Sequence, residues 1–270
     1  LESLKLCEQA TGIGLPFHQA LNLHENSGSD PFKRLAMSAR LGHAAATLLQ
    51  VDAVRLYQTA YFRKEKSGAS NVETSWHRDL SMIPVRTHFY LTFWCPLVDI
   101  PDVQASPLLF SMGSQLPFTE RKFSYSIVNG SMSLKTSYFT PLSIGDCTAH
   151  HGRTLHTALV NNATTPREAV AFSYIDASAE RMPPDEFLEK GEPEDAVSYE
   201  RWYDDTALTS TIAHKSLPKV FDFGSNKHAK APRLARRYLS QMSESEQQEI
   251  ARFMFTHVAT PKRSAAADDR

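Results

Sequence analysis

The chain lacks the features that mark membrane proteins, nucleic-acid-binding proteins and repeat proteins. Among its 270 residues, no apolar run approaches the roughly 18 residues that a membrane-spanning helix needs. The net charge is −1, so the sequence has neither a basic field for nucleic acid nor a strongly acidic tail. No segment of roughly 20–50 residues repeats, which argues against a solenoid.

Cysteine is scarce and too widely spaced for a disulfide framework. The three cysteines, Cys7, Cys95 and Cys147, form no Cys-x-x-Cys pair. We therefore expect reduced thiols and a cytoplasmic protein. The chain begins at Leu1 rather than Met, and a trimmed targeting peptide, which this sequence would not show, is the alternative to a cytoplasmic location.

The sequence does have enough apolar residues to bury a substantial core. It is 41% hydrophobic and 22% charged, and its length fits one large β-domain with helical additions. Apolar and alternating stretches predict about eight strands between residues 54 and 175, among them 54–62 and 88–98. This number of strands fits an antiparallel double-stranded β-helix of the jelly-roll type.

Helices are expected before and after the strand region in the sequence. Asp30-Pro31 is typical of a helix N-terminus, and the apolar spacing predicts one helix over residues 31–49. Inside the β region, Asn129-Gly130 predicts a two-residue hairpin turn.

The chain is expected to consist of three regions. Residues 1–178 form the jelly-roll core, residues 179–258 a helical extension packed on it, and residues 259–270 a disordered tail. A short helix is expected near residues 183–188, and residues 233–257 are expected to be helical, as one helix or as two interrupted at 243–246. The extension should buttress the barrel, while a cap over its mouth or an oligomer contact are the alternatives.

Two segments carry the candidate metal ligands. In His77-Arg78-Asp79, the first and third residues of a strand would face the same side. His156 lies in an alternating stretch that predicts a half-buried strand. Two imidazoles and one carboxylate suit non-haem Fe(II) and leave positions open for a cosubstrate and oxygen.

Arg167 opens a second strand-like run after a polar connection of hairpin length at residues 161–166. Two antiparallel strands joined in this way would bring His156 and Arg167 to one barrel mouth. A buried guanidinium needs an anionic partner, so this position predicts an anion site, with an ion pair to Glu168 or to a surface acid as the alternative.

These residues resemble the phytanoyl-CoA dioxygenase-like family of Fe(II)/2-oxoglutarate oxygenases over residues 15–178. The family pattern is matched by His77-Arg78-Asp79 and by Trp94, Gly145, Asp146, His156, Asn161 and Arg167. Arg167 follows His156 by eleven residues, which is the spacing expected in this family. The sequence departs from the pattern at Gln115, where a histidine is usual, and at residues 103–105, where an Asn-Gly turn is usual.

The resemblance implies that His77, Asp79 and His156 are the catalytic iron ligands and that Arg167 binds the far carboxylate of 2-oxoglutarate. It places Trp94 beside this cosubstrate, with core packing as the alternative. The implied reaction consumes O2, releases succinate and CO2, and hydroxylates, desaturates or cyclises a small molecule at a C–H bond. Because related halogenases replace the carboxylate ligand with a small residue, Asp79 argues against halogenation.

The second donor to the far carboxylate is not set by the family pattern. Some relatives place a serine two residues after the arginine, whereas this chain has Ala169. Tyr57 and Thr59, on the strand before His77, are candidates. Strand alternation groups them on one face, and the sequence leaves open which face is turned inward.

His150 and His151 are expected in a turn before the His156 strand. Their best functional role is to support a metal ligand, and a purely structural role is the commoner alternative. Arg78 and Arg86 would flank the mouth, where they either meet a substrate carboxylate or are solvated.

We expect a monomer or homodimer that acts on a small molecule and binds neither nucleic acid nor membrane. A non-catalytic jelly-roll protein that binds or senses a ligand is the main alternative. A zinc hydrolase is another, but no general-base carboxylate stands beside the His-Arg-Asp motif and Arg167 would have no role.

Overall fold

The computed structural model describes residues 18–25, 31–68, 71–115, 136–189, 196–208 and 210–224. The predicted turn at Asn129-Gly130, the predicted helix over 233–257 and the predicted tail lie outside these residues. Within them no helix is both long enough and apolar enough to cross a membrane.

Twelve strands and four α-helices are present in the described residues. The helices are α1 (Pro31–Ala36), α2 (Ala39–Leu49), α3 (Pro184–Glu189) and α4 (Ala196–Tyr203). The strands are β1 (His18–Leu21), β2 (Ala53–Lys64), β3 (Thr74–His77), β4 (Val85–Arg86), β5 (Tyr90–Pro96), β6 (Leu108–Ser111), β7 (Thr136–Tyr138), β8 (Thr148–His151), β9 (His156–Ala158), β10 (Arg167–Asp176), β11 (Glu180–Arg181) and β12 (Lys219–Asp222).

In the described residues the strands form a large and a small antiparallel sheet, and β4 and β11 form a separate two-stranded pair. The large sheet has the order β1-β2-β10-β5-β8, and β12 pairs with the other end of β2. The small sheet has the order β3-β9-β6-β7. This architecture confirms the predicted β-rich core with helical additions. The predicted hairpin between His156 and Arg167 is wrong, because β9 and β10 lie in different sheets.

The expected single helix over residues 31–49 is also wrong, because the chain forms α1 and α2 instead. Ser38 between them is extended, with φ −67° and ψ 134°, and its hydroxyl accepts a hydrogen bond from the amide of Leu41. Serine suits this position because its side chain satisfies an amide that the first turn of a helix leaves unpaired. Helix α2 then packs Ala45, Ala46 and Leu49 into the core on the outer face of the large sheet.

The sequence predicts a helical region after residue 178, but its described part also contains two strands. Strand β11 pairs with β4, and β12 extends the large sheet along β2. Helix α4 buries Trp202 completely, 6.2 Å from Tyr57 between ring centroids. These contacts make the described part of the extension an integral support of the core.

Cys95 and Cys147 form a disulfide between β5 and the residue before β8, with a Cα–Cα distance of 4.3 Å. The expectation of reduced thiols is therefore wrong for this pair. The two cysteines are 52 residues apart in sequence, and only the pairing of β5 with β8 brings them together.

Breaking this disulfide should destabilise the protein, because it closes a long loop in the unfolded chain. We expect Cys147→Ser to lower the free energy of unfolding by about 2–4 kcal/mol, measured by urea denaturation. A reductant should lower the stability of the unsubstituted protein and leave that of the variant unchanged. Equal stability of the unsubstituted protein with and without reductant would contradict the pairing.

Candidate active site

A cavity of about 300 Å³ lies between the inner faces of the two sheets. The large sheet contributes alternate residues of its central strands, namely Gln58, Ala60 and Phe62 of β2, Ala171 and Ser173 of β10, and Thr92 and Trp94 of β5. The small sheet contributes Thr74, Leu108, Thr157 and Ala158. Both predicted motifs, the His-Arg-Asp segment and the His156 strand, reach this cavity.

His77, Asp79 and His156 converge, with one ligand atom of each lying within 4.8 Å of the others. His77 ends β3 directly opposite His156 at the start of β9. The Nε2 atoms of His77 and His156 lie 3.6 and 3.5 Å from Oδ1 of Asp79. The motif predicted that Asp79 lies in a strand, whereas it is the first residue of a 3-10 turn. Because Arg78 keeps an extended backbone, His77 and Asp79 still face the same side.

Both imidazoles are oriented by the backbone of their own segment. Nδ1 of His77 lies 2.8 Å from the carbonyl oxygen of Ser75, and Nδ1 of His156 lies 3.0 Å from that of Thr154. A carbonyl only accepts hydrogen bonds, so each Nδ1 carries a proton and donates it. In the neutral form of each ring, Nε2 then presents a lone pair towards Asp79, the arrangement that a metal ligand requires.

The electrostatics favour the protonation states that bind a cation. Burial alone would raise the pKa of Asp79, but the imidazoles of His156, His150 and His77 together hold it well below its usual range. Burial, followed by the nearby His77 and His150, lowers the pKa of His156 well below its usual value. An ionised carboxylate and a neutral imidazole are the forms that coordinate a metal.

Arg167 is buried at the start of β10, with 3% of its surface exposed. Its Nε and Nη1 atoms have no hydrogen-bond partner among the described residues. Its guanidinium carbon lies 5.5 Å from the ring centroid of Trp94, within cation–π distance. Burial lowers the pKa of Arg167 to about 10, which leaves it a cation at neutral pH. The predicted alternative, an ion pair with Glu168, is wrong because Glu168 binds Arg63.

The structure does not bring Tyr57 or Thr59 to the cavity. The hydroxyl of Thr59 lies 3.0 Å from both the amide nitrogen and Nδ1 of His24, and Tyr57 packs against Tyr90 and Trp202. The inward set of β2 is instead Gln58, Ala60 and Phe62. Sequence alternation separated these two sets but could not choose between them, because both faces of β2 are covered.

His150 and His151 lie in β8 rather than in a turn. Nε2 of His150 is 3.3 Å from Oδ2 of Asp79, so this histidine contacts a candidate metal ligand. His151 points elsewhere and bonds the backbone carbonyl of His88 through Nε2 at 2.7 Å.

Arg78 and Arg86 line a second cavity, of about 870 Å³, and not the cavity of the histidines. Arg78 donates to the carbonyl of Arg153 at 3.0 Å, and Arg86 forms ion pairs with Glu180 and Glu186. Neither arginine is placed to meet a substrate beside Asp79.

The residues present fit an iron ion and 2-oxoglutarate. Two imidazole nitrogens and one carboxylate oxygen form an open-sided set that suits Fe(II). Arg167 is a buried cation without an anionic partner among the described residues, and a guanidinium binds a carboxylate with two parallel hydrogen bonds.

Lys64 is fully buried at the end of β2, opposite Arg167 in the adjoining strand. Its ammonium donates to the carbonyls of Ala158 and Leu159 at 2.6 and 2.9 Å, so it ties the large sheet to the end of β9. Burial and then the charge of Arg167 lower the pKa of Lys64 to about 7, although Glu73 opposes the shift.

Comparisons with known proteins identify a family and similar folds. The sequence model described as phytanoyl-CoA dioxygenase matches residues 16–169. A search of curated proteins finds no match.

Several solved structures are similar to the chain. The non-heme alpha ketoglutarate-dependent epimerase SnoN from nogalamycin biosynthesis is 28% identical, with a TM-score of 0.57 over 75% of this chain and 76% of that one. The carbocyclase SnoK from the same biosynthesis is 18% identical, with a TM-score of 0.61 over 81% of this chain and 85% of that one. SnoN with Fe3+, alpha ketoglutarate and nogalamycin RO has a TM-score of 0.59 at 24% identity, covering 81% and 88% of the two chains.

The buried Lys64 should make stability depend on pH in a predictable direction. Its folded-state pKa of about 7 lies below the ordinary value of 10.5, so the unfolded chain binds more protons between these values. The cost of burying the ammonium is therefore complete below pH 7 and disappears as the pH rises through this window. Relative to Lys64→Met, the unsubstituted protein should gain stability from about pH 7 to pH 10 in urea denaturation. Parallel pH profiles of the two proteins would contradict the shift.

Proposed function

The chain belongs to the phytanoyl-CoA dioxygenase family of 2-oxoglutarate-dependent non-haem iron oxygenases, and we propose that it oxidises an unactivated C–H bond of a small molecule. The reaction would consume O2 and convert 2-oxoglutarate to succinate and CO2. One observation carries this proposal. His77, Asp79 and His156 converge in the same cavity as Arg167, a buried cation without a described anionic partner.

We assign the ligand roles to specific atoms of the chain. His77 and His156 offer Nε2, and Asp79 offers Oδ1, the oxygen that both imidazoles face. Bound iron and 2-oxoglutarate would supply the oxidising power for cleavage of the C–H bond. The protein contributes the cavity and three fixed ligands, which would hold the substrate carbon against the metal.

Arg167 would bind the far carboxylate of 2-oxoglutarate, with Trp94 beside it. The planar guanidinium binds a carboxylate through two adjacent nitrogens, Nη2 together with either Nε or Nη1, and neither Nε nor Nη1 has a partner among the described residues. The indole of Trp94 restricts the direction in which the guanidinium can point. The ordered position of Arg167 would then set how far the cosubstrate extends towards the metal ligands.

The cavity favours a substrate whose reacting part is uncharged. Among the described lining residues, Arg167 is the only guanidinium or ammonium group, and we assign it to the cosubstrate. Apolar side chains cover much of the remaining wall, including Phe62, Met82, Ile83 and Leu108. The similarity to SnoN, an epimerase, adds a change of stereochemistry to hydroxylation, desaturation and cyclisation as outcomes to be measured.

Removal of a metal ligand tests the assignment of the iron site. His156→Ala should abolish succinate release from 2-oxoglutarate in the presence of Fe(II), ascorbate and candidate substrates, because two ligands cannot hold the ion in place. His43→Ala, a histidine on the exposed side of α2, is the control and should retain activity. Products are identified by mass and by stereochemistry. Unchanged succinate release by His156→Ala would refute the iron site.

Arg167→Ala should impair the use of 2-oxoglutarate without loss of the metal. A lost hydrogen bond to a charged group costs about 2–3 kcal/mol, which corresponds to a rise of up to about a hundredfold in the KM for 2-oxoglutarate. Arg167→Lys should recover part of this loss, since an ammonium cannot reproduce two parallel hydrogen bonds. Arg63→Ala, next to Lys64 but with its charge paired to Glu65 and Glu168, serves as the control. A normal KM together with a lower melting temperature would make Arg167 a structural residue.

A further inference from the structure

A row of polar side chains crosses the inner face of the large sheet. Gln58, Ser173, Thr92 and His150 occupy β2, β10, β5 and β8, and each is the register partner of the next. All four line the cavity. Buried polar groups are costly unless they have partners, so a continuous polar row in this position calls for an explanation.

The row ends on one oxygen of Asp79. The hydroxyl of Thr92 donates to Oδ2 at 2.7 Å, and Nε2 of His150 lies 3.3 Å from the same oxygen. The other oxygen, Oδ1, faces the Nε2 atoms of His77 and His156. The two oxygens of the carboxylate are therefore divided between the polar row and the candidate metal site.

The direction of the hydrogen bonds follows from the number of protons available. Thr92 has one hydroxyl proton and gives it to Asp79, so Ser173, 3.1 Å away, must donate to Thr92. Nδ1 of His150 is buried and has no partner among the described residues. With its proton on Nε2, His150 donates a hydrogen bond to Asp79, and only the lone pair of Nδ1 is left without a partner among the described residues.

We propose that Thr92 and His150 are positioning residues, which hold Oδ2 so that Asp79 binds the metal through Oδ1 alone, and that Ser173 orients Thr92. This inference rests on the proposed function. A carboxylate that binds through a single oxygen leaves more of the coordination sphere for 2-oxoglutarate and O2. Without its two donors, Oδ2 would be able to compete for one of these positions.

The competing explanation is structural, because any buried carboxylate needs hydrogen-bond donors. In that case the donors would stabilise the folded protein and have no effect on what the metal binds. The two explanations differ in their readouts: a structural role affects the melting temperature of the metal-free protein, and a positioning role affects the metal environment.

Co(II) is a suitable probe, since its visible absorption reports the number and geometry of its ligands. Thr92→Val replaces the hydroxyl with a methyl group of similar size, and Thr92→Ser keeps the donor. In Thr92→Val and His150→Phe we expect a changed Co(II) spectrum and about a tenfold or greater loss of 2-oxoglutarate affinity in the Co(II)-loaded protein. Co(II) affinity and the metal-free melting temperature should change little, and Thr92→Ser should resemble the unsubstituted protein.

Three results would overturn the inference. The first is an unchanged spectrum and 2-oxoglutarate affinity in both variants. The second is a lower metal-free melting temperature of Thr92→Val with a normal spectrum. The third is loss of Co(II) itself from His150→Phe but not from Thr92→Val, which would make His150 a metal ligand. Failure of the unsubstituted protein to bind Co(II) and 2-oxoglutarate would instead refute the proposed function.

Discussion

The register of β10 is the constraint on which the cavity depends. This strand is paired on both sides, with β2 and with β5, and its side chains alternate between the cavity and the outer core. Arg167 and Ser173 point inward at the two ends of the cavity, separated by the small Ala169 and Ala171. A slip of one residue would turn bulky outer-core side chains such as Phe172 inward and would remove the buried cation.

The metal site has a different structural basis. Its histidines belong to the small sheet, where β3 and β9 are paired, whereas Asp79 lies in the turn that leads out of β3. The donors to Asp79 come from the large sheet. The site therefore forms only when the two sheets face each other at the correct distance, and Lys64 helps to fix that distance by bonding across to the end of β9.

The chemistry of the site could be predicted from the sequence because it resides in short motifs. The approach of His77, Asp79 and His156, and the burial of Arg167 near Trp94, follow from local patterns and a family spacing. Properties that depend on pairing between distant segments could not be predicted in this way. A polar connection of hairpin length looks the same whether it joins neighbours in one sheet or crosses to another, which is why β9 and β10 were expected to pair. The disulfide of Cys95 and the inward face of β2 depend on tertiary packing in the same way.

The way in which His77 and His156 are oriented affects which substitutions the protein can accept during evolution. Each imidazole is held by the backbone carbonyl of the residue two positions earlier in the chain, not by a side chain of the cavity wall. Substitutions at Ser75 or Thr154 leave those carbonyls in place, and so do changes to the apolar side chains around the cavity. The orientation of both histidines is thus encoded separately from the apolar cavity wall, so that wall could diverge towards new molecules while the placement of the two imidazoles is inherited intact.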